Sequence, residues 1–204
     1  YVKKGCLISD VAGIKSHFVD MIGEVTPEGC EFLFCHPMAG REKRGFKYAD
    51  DNVLKGANFL IVSTNDTTQD AIDRMSEIVT DIGFGRIRVT DVDTHDKVIA
   101  YTSQLPHAIA VSLINSDDED SETASYIGDS YRDLTRIANI NEYLWSELFL
   151  GNRQNLLTTI TRFESQLALL KAFVESGDRE GLKDMFVKST KRRLALEDKK
   201  KNNI

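Results

Sequence analysis

The feature that most constrains this chain is a change of pattern near residue 91. Before that point, four short strand-like runs occur at residues 6–8, 32–35, 58–62 and 86–89; the first three are mainly apolar, and the fourth alternates arginine with apolar residues. A helical pattern follows the first run from about residue 13 to 22, and a second connects the last two runs, with apolar residues every three or four positions up to Ile82. Strands separated by helices predict an α/β layer with a largely parallel sheet.

After Asp91 the strand patterns stop, and the rest of the chain is predicted to be helical. One stretch repeats apolar residues at spacings of three and four, typical of a helix that packs against another helix. Its members are Leu156, Ile160, Phe163, Leu167, Leu170 and Val174. The pattern leaves open whether the partner helix belongs to the same chain. We therefore predict two domains, an α/β domain over residues 1–90 and an all-α domain over residues 91–204.

The α/β part has few strands for a doubly wound sheet and lacks the usual phosphate-binding glycines. A dinucleotide-binding half begins with strand, Gly-x-Gly-x-x-Gly, helix. The single Gly-x-Gly here, Gly83-Phe84-Gly85, follows a helix and precedes a strand, which is the reverse order. We interpret Gly83 as the residue that ends a helix, since glycine accepts the left-handed conformation found there.

Composition excludes several classes of protein. Hydrophobic residues make up 41% and charged residues 28%, as in an ordinary globular domain, and the net charge of −6 argues against general nucleic-acid binding. Basic residues at 191–193 and 199–201 are interpreted as a solvated helix end. There is no run of roughly 18–20 apolar residues and no signal peptide at the start, so neither a membrane span nor secretion is expected.

Three cysteines without metal-ligand spacing indicate a reducing compartment, and we expect a cytoplasmic protein with no metal.

Two groups of polar residues are candidates for chemistry. His36 ends an apolar run, and functional groups gather at the carboxyl ends of strands in open α/β sheets. Gln104 and His107, three residues apart, share one face of a mostly apolar helix. A structural role remains the alternative for each of them. His95, beside Asp96 at a helix start, fits a cap or salt bridge, and His17 is expected at the surface.

Asp133 and Arg136 are three residues apart and could form an ion pair on a helix. Alternatively, Arg136 could present its planar set of donors to a substrate carboxylate. Spacing alone does not choose between these interpretations.

The order of four motifs resembles the prephenate dehydrogenase family over residues 2–195. The motifs are Ser9-Asp10-Val11-Ala12-Gly13-Ile14-Lys15, His36-Pro37-Met38-Ala39-Gly40 with Glu42 and Gly45, Leu105-Pro106-His107-Ala108, and Asp133-Leu134-Thr135-Arg136-Ile137-Ala138. The resemblance implies the C-terminal portion of a Rossmann-type domain, followed by a helical substrate-binding domain that forms a homodimer. The glycine fingerprint of the family would lie upstream of Tyr1.

The resemblance also implies a reaction, the oxidative decarboxylation of prephenate to 4-hydroxyphenylpyruvate with NAD or NADP. His36 would draw off the proton of the ring 4-hydroxyl, and Arg136 would hold a substrate carboxylate. His107 and Gln104 would line the pocket, while Glu42 and Asp133 would hold Arg136 in place.

On the cofactor side the resemblance places Asp10 and Gly13 at the dinucleotide. Many relatives have serine where this chain has Gly13, and the role of that hydroxyl is not transferred. The fragment alone is expected to be inactive, because the main fingerprint is absent.

Three alternatives remain open at this stage. The substrate could be arogenate, which differs from prephenate in bearing an amine in place of a keto group. The chain could instead be a non-catalytic dimerisation or ligand-sensing module. A related Rossmann enzyme with a helical dimer domain, such as a hydroxyacid or 6-phosphogluconate dehydrogenase, would use a catalytic lysine where this chain offers His107, which counts against it.

Overall fold

A computed structural model describes residues 2–40, 45–118 and 122–202. Its sheet contains strands β1 (Leu7–Ser9), β2 (Glu31–Pro37), β3 (Asn58–Ser63) and β4 (Arg86–Asp91), in that spatial order. The pairings β1–β2 and β3–β4 are parallel, as expected from the sequence. The pairing β2–β3 is antiparallel, with Phe34 opposite Val62, so the sheet is largely but not entirely parallel.

The connection between β2 and β3 explains the antiparallel pairing. Its described part contains two short 3-10 helices, Phe46–Tyr48 and Asp51–Val53, and no α-helix. A parallel pair needs a long crossover that brings the chain back to the starting edge, whereas an antiparallel pair does not. Apolar runs look alike in either direction, so the sequence pattern did not reveal this reversal.

The core of the sheet layer lies between the strands and helix α2 (Gln69–Ile82). Leu33, Cys35 and Ile61 have no exposed surface, and α2 packs Ala71 and Val79 against the sheet. Burial of this kind stabilises by about 25 cal/mol per Å² of apolar surface removed from water.

A side chain caps the start of α2, and a glycine ends the helix as predicted. The Thr68 hydroxyl accepts a hydrogen bond from the Ala71 N–H and so caps the helix start. Gly83 has φ = 103° and ends the helix in the left-handed conformation, which confirms its interpretation. Gly85 lies against the backbone of Gly56, with no room for a side chain.

The first helix differs from its prediction. Helix α1 covers Val19–Val25, whereas the apolar pattern suggested a start near residue 13. The backbone N–H groups of Lys15 and Ser16 donate to the distant Asp96 carboxylate instead of to carbonyls of their own turn. A tertiary partner therefore replaces local helical hydrogen bonds, and residues 10–16 form a loop.

The chain beyond β4 is mostly helical, which confirms the predicted sequence of an α/β layer followed by helices. The α-helices are α3 (Val92–Ile99), α4 (Leu105–Asn115), α5 (Asp129–Thr135), α6 (Glu142–Gly151), α7 (Arg153–Ser176) and α8 (Arg179–Asn202). A π-helical turn, Ala100–Gln104, joins α3 to α4. Two 3-10 turns, Thr123–Tyr126 and Arg136–Ala138, lie on either side of α5.

The contacts divide the chain into two compact units, residues 1–156 and 157–204. The first contains the sheet and α3 to α6, so the expected division near residue 91 falls inside this unit, at the start of α3. The second contains most of α7 together with α8. No helix in the described ranges has the length and apolarity needed to cross a bilayer.

Candidate functional site

His36 lies near the carboxyl end of β2, where the sequence placed a reactive group. Its ring is half-buried and stands against His95, with Nδ1 of His36 2.9 Å from Nε2 of His95. The two rings meet edge to face, with centroids 5.1 Å apart. One ring nitrogen of His36 is therefore engaged by a second histidine from the helical part of the chain.

The contact between the two histidines continues to a carboxylate. Nδ1 of His95 is 2.7 Å from Oδ1 of Asp96. Both residues are in the first turns of α3 and each is 1% exposed. His36, His95 and Asp96 thus form a line of hydrogen-bonded groups that runs from the half-buried His36 ring to the buried Asp96 carboxylate, which we call the His36–His95–Asp96 chain.

Asp96 also holds the loop that follows β1. Its carboxylate accepts hydrogen bonds from the Lys15 N–H at 3.0 and 3.3 Å, from the Ser16 N–H at 2.8 Å and from the Ser16 hydroxyl at 2.5 Å. A carboxylate with this many donors is satisfied without a cation beside it. Asp96 therefore joins α3, the loop of residues 10–16 and the His95 ring at one point.

A second carboxylate anchors the other end of the same loop. Asp10 accepts from the Ala12 N–H and the Cys35 N–H, each at 2.9 Å, and it pairs with the ammonium group of Lys15. The Lys15 ammonium, fully buried, also donates to the carbonyls of Ala12 and Cys35. The structure therefore shows Asp10 shaping the loop around Gly13.

Gly13 lies directly beside the second nitrogen of the His36 ring. A Cβ atom at Gly13 would stand 3.9 Å from Nε2 of His36 and 3.3 Å from Cδ2 of Leu148, on α6. Position 13 has no side chain, and a Cβ atom there would be in ordinary contact with Nε2 of His36 and in tight contact with Leu148.

Burial determines the charge of His36, and hydrogen bonds determine that of Asp96. It lowers the pKa of His36 to about 3, with smaller contributions in the same direction from His95 and Lys15, against an opposing effect of Asp96. Burial by itself would raise the pKa of Asp96, but hydrogen bonds from His95 and Ser16 outweigh it and lower that pKa. Near neutral pH the site therefore contains a neutral His36 ring and an ionised Asp96.

The π-helical turn directs a buried amide toward α6. Gln104 is 1% exposed; its Nε2 donates to the Leu148 carbonyl at 2.7 Å, and its Oε1 accepts from the Asn152 amide at 3.0 Å. The same Asn152 amide donates to the Asp96 carbonyl at 2.8 Å. These hydrogen bonds connect Gln104 to α6 and, through Asn152, to α3, while its expected place in the lining of the pocket stays a prediction.

The remaining predicted residues lie on neighbouring elements. His107, on α4, donates through Nδ1 to the Ser103 carbonyl at 2.8 Å and stacks on the indole of Trp145, with centroids 3.7 Å apart. The turn Arg136–Ala138 packs against α4. Asp133 and Arg136 are both exposed, and Glu42 lies outside the described residues.

The site also contains residues that sequence reasoning did not assign. His95 and Asp96 were expected to form a cap or a salt bridge, and their hydrogen bond is seen, but its extension to His36 was not anticipated. Lys15, Leu148 and Asn152 carried no predicted role in the site. One feature of the sequence could have indicated these residues. It is the adjacent polar pair His95-Asp96 within a helix whose apolar spacing predicts burial.

Two surface cavities lie away from His36. One, of about 330 Å³, is formed around Tyr126 and Tyr131, and the other, of about 630 Å³, lies between α1 and the start of β2. The described residues contain no cluster of three or more metal-ligating side chains. His17, expected at the surface, is exposed.

Comparison with known proteins identifies related chains over nearly the whole sequence. The profile of the prephenate dehydrogenase nucleotide-binding domain matches residues 1–88, and that of the prephenate dehydrogenase dimerization domain matches residues 91–188. A cyclohexadienyl dehydrogenase of Zymomonas mobilis is 30% identical over 96% of this chain and 68% of its own length. A prephenate dehydrogenase of Bacillus subtilis is 25% identical over 86% of this chain and 48% of its own length.

A solved structure shows the same fold. The crystal structure of prephenate dehydrogenase from Aquifex aeolicus, in complex with hydroxyphenyl propionate and NAD+, matches with a TM-score of 0.78 at 26% identity. The match covers 92% of this chain and 66% of that chain. The 204 residues therefore span between about half and two thirds of the length of these relatives.

Proposed function

This chain belongs to the prephenate dehydrogenase family, and on that premise we propose that it carries the catalytic residues for oxidative decarboxylation of prephenate. The observation that carries the proposal is the environment of His36. The ring is neutral, its Nδ1 is engaged by His95, and its Nε2 lies beside Gly13, which has no side chain. A neutral imidazole with one engaged nitrogen is suited to accept a proton at the other.

In this reaction His36 accepts and returns one proton. Nε2 of His36 accepts the proton of the ring 4-hydroxyl of prephenate as the hydride leaves C4. The C1 carboxylate then departs as carbon dioxide, its bonding electrons make the ring aromatic, and the oxygen at C4 takes the proton back. The product is 4-hydroxyphenylpyruvate. A bound NAD or NADP would supply the hydride acceptor, and that chemistry belongs to the cofactor.

The residues present fit the nicotinamide end of such a cofactor. Gly13 follows β1 at the carboxyl edge of the sheet, where α/β proteins bind dinucleotides, and it presents no side chain toward His36. The Asp10 carboxylate holds this loop through the Ala12 and Cys35 amides. The 204 residues contain no Gly-x-Gly-x-x-Gly, so they offer no fingerprint for the pyrophosphate.

Substrate binding is assigned to the helical elements. Arg136 would hold a carboxylate of prephenate through its planar donors, and His107, held by Ser103 and Trp145, would contact the substrate beside it. Asp133 and Glu42 would orient Arg136. Gln104 would line the pocket beside them, with both ends of its amide held by protein groups.

The partner that we propose for the helical part is a second copy of the chain. Helix α7 exposes Leu167 and Val174 by 53% and 60%, and α8 exposes Phe186 by 55%. Exposed apolar side chains repeated along two long helices favour burial in an interface, and an obligate interface of this type covers on the order of 2,000 Å² or more.

Replacing the proposed base tests the function. His36→Asn in the full-length protein should lower kcat by about two to four orders of magnitude, the usual contribution of a general base, with a much smaller change in KM. Activity is measured as NAD(P)H formation, with prephenate and arogenate as substrates in parallel. His17→Asn, at an exposed histidine, is the matched control and should leave kcat unchanged. Near-normal turnover of the His36→Asn protein would show that His36 is not the catalytic base.

The proposed carboxylate clamp is expected to affect substrate binding more than turnover. Arg136→Ala should raise KM by a factor equivalent to about 2–4 kcal/mol, because a charge-assisted bidentate contact is lost in the bound substrate and transition state alike. Arg136→Lys should recover only part of the loss, since lysine lacks the planar donors. An unchanged KM together with a lower melting temperature would assign Arg136 to a structural ion pair.

A further inference from the structure

The His36–His95–Asp96 chain has a direction that the hydrogen-bonding groups determine. Asp96 is ionised, so both of its oxygens accept and neither donates. Nδ1 of His95, 2.7 Å away, must therefore carry a proton and donate it. The carboxylate already has donors from Lys15 and Ser16, so it does not require a positively charged His95 as counterion.

With Nδ1 protonated, a neutral His95 presents a lone pair at Nε2. Nδ1 of His36, 2.9 Å away, must then be the donor of that hydrogen bond. The proton of the neutral His36 ring is thereby assigned to Nδ1, and Nε2 is left with a lone pair. That nitrogen is the one facing Gly13. Each step follows from the donor and acceptor inventory of the side chains.

We propose that His95 and Asp96 are positioning residues that hold His36 in the tautomer required of a base. The inference rests on the proposed function, since a tautomer matters to catalysis only if His36 accepts a proton. When Nε2 takes up the substrate proton, the Nδ1–H of His36 becomes a charge-assisted donor to His95. Asp96 stabilises the positive charge from the far end of the chain, and the proton leaves again through Nε2.

The charges around His36 come from two elements. Helix α3 contributes His95 and Asp96, and the loop after β1 contributes Lys15, which is paired with Asp10. Lys15 opposes a positive charge on His36, whereas Asp96 favours it. Loss of the Asp96 charge would therefore leave Lys15 unopposed at the site, in addition to changing the tautomer.

The substitution Asp96→Asn tests the direction of the hydrogen bonds in the His36–His95–Asp96 chain. The N–H groups of Lys15 and Ser16 need an acceptor, so the amide oxygen would face them and the amide NH2 would face His95. Nδ1 of His95 would then have to accept, its Nε2 would donate, and the proton of His36 would move to Nε2. A base with its proton on the wrong nitrogen should lose about two to four orders of magnitude in kcat. KM should change by less than about threefold.

The tautomer is measured directly in the full-length protein. Spectra of the ring nitrogens in ¹⁵N-histidine-labelled protein, assigned with the His36→Asn and His17→Asn variants, show which nitrogen of each ring carries the proton. We expect Nδ1–H on both His36 and His95 in the unsubstituted protein, and Nε2–H on both after Asp96→Asn. A His36 ring protonated at Nε2 in the unsubstituted protein overturns the proposal, even if the Asp96→Asn protein does not fold.

Two further variants separate positioning from general stability. His95→Gln retains an oxygen that can accept from His36, whereas His95→Leu does not, so the glutamine variant should keep at least about tenfold more turnover. Asp91→Ala is the matched control on the same helix. It removes the cap at the Thr94 N–H and so lowers stability without touching the His36–His95–Asp96 chain. Its tautomers and kcat should remain those of the unsubstituted protein.

The outcomes also separate this inference from the proposed function. If His36→Asn abolishes turnover but Asp96→Asn changes neither kcat nor the tautomers, His36 remains the base and the positioning role is wrong. If His36→Asn retains turnover, the proposed function falls, and the inferred catalytic role of His95 and Asp96 falls with it. Equal turnover of His95→Gln and His95→Leu would likewise contradict the positioning role.

Discussion

The region around His36 and the long helices α7 and α8 differ in the kind of side chain that each buries. Around His36 the chain buries charged and polar groups almost completely, among them Lys15, His95, Asp96, Gln104 and Asn152. Along α7 and α8 it leaves large apolar side chains in contact with solvent, among them Leu167, Val174, Phe186, Val187, Leu194 and Leu196.

The difference shows which groups find all their partners within a single chain. In the described residues, no buried side-chain nitrogen or oxygen lacks a hydrogen-bond partner, although burying such groups unpaired would cost several kcal/mol each. The polar region is therefore complete within one chain. The apolar helices are incomplete by the same standard, and we infer that a second copy covers them.

Of the predictions that test this comparison, the largest effect is expected on dimerisation through α7. Leu167→Glu combined with Val174→Glu would place two charges in the proposed interface and should weaken dimerisation by a factor of about 100 or more, because about 1.4 kcal/mol corresponds to each factor of ten. Sedimentation velocity over a range of concentrations measures the change. Gln166→Glu, at an exposed polar position on the same helix, is the control. A double variant that sediments as the unsubstituted protein would show that α7 is not in the interface.

The stability of the two regions should also respond differently to acid. The pKa of His36 in the folded state, about 3, is below its ordinary value of 6.5, so the unfolded chain takes up the proton first as the pH falls. The resulting stability is fully present above about pH 6.5 and is lost as the pH falls toward 3. It amounts to at most about 5 kcal/mol, and less because the ring is partly exposed.

Hydrogen exchange at several pH values would locate this acid sensitivity. We expect amides in the loop of residues 10–16 and in α3 to lose protection before those of α7 and α8. His36→Gln should remove the part of the acid response that begins near pH 6.5. Asp96, whose pKa is also lowered, loses its contribution at more acid pH. Earlier loss of protection in α7 would contradict the comparison.

The smallest effect is expected at Gly13, where the polar region departs from the serine of many relatives. Gly13→Ser would place a hydroxyl beside Nε2 of His36, and Leu148 would need to shift by a few tenths of an ångström. One neutral hydrogen bond, about 0.5–1.5 kcal/mol, would raise kcat by roughly two- to twelvefold. Gly13→Ala adds the same Cβ without the hydroxyl and should not raise kcat. Equal rates for the two variants would exclude a role for the hydroxyl.

Local patterns predicted much of this molecule. The four strands, the end of α2 at Gly83 and the position of His36 near the end of β2 all follow from a few consecutive residues. The motif order was enough to identify the family. Periodicity and glycine conformations are properties of neighbouring residues, so they can be recognised without knowing the fold.

The partners of the buried groups were decided by tertiary structure alone. His36 meets His95 across 59 positions of sequence, and Ser16 meets Asp96 across 80. Neither contact has a period or a local motif, because each results from the way α3 returns over the ends of β1 and β2. The bond from Lys15 to Asp96 likewise places the predicted start of α1 in a loop, and a separate long-range bond connects Gln104 to Leu148 on α6. Sequence thus determined which residue could be the base, and the fold determined the groups that hold its ring.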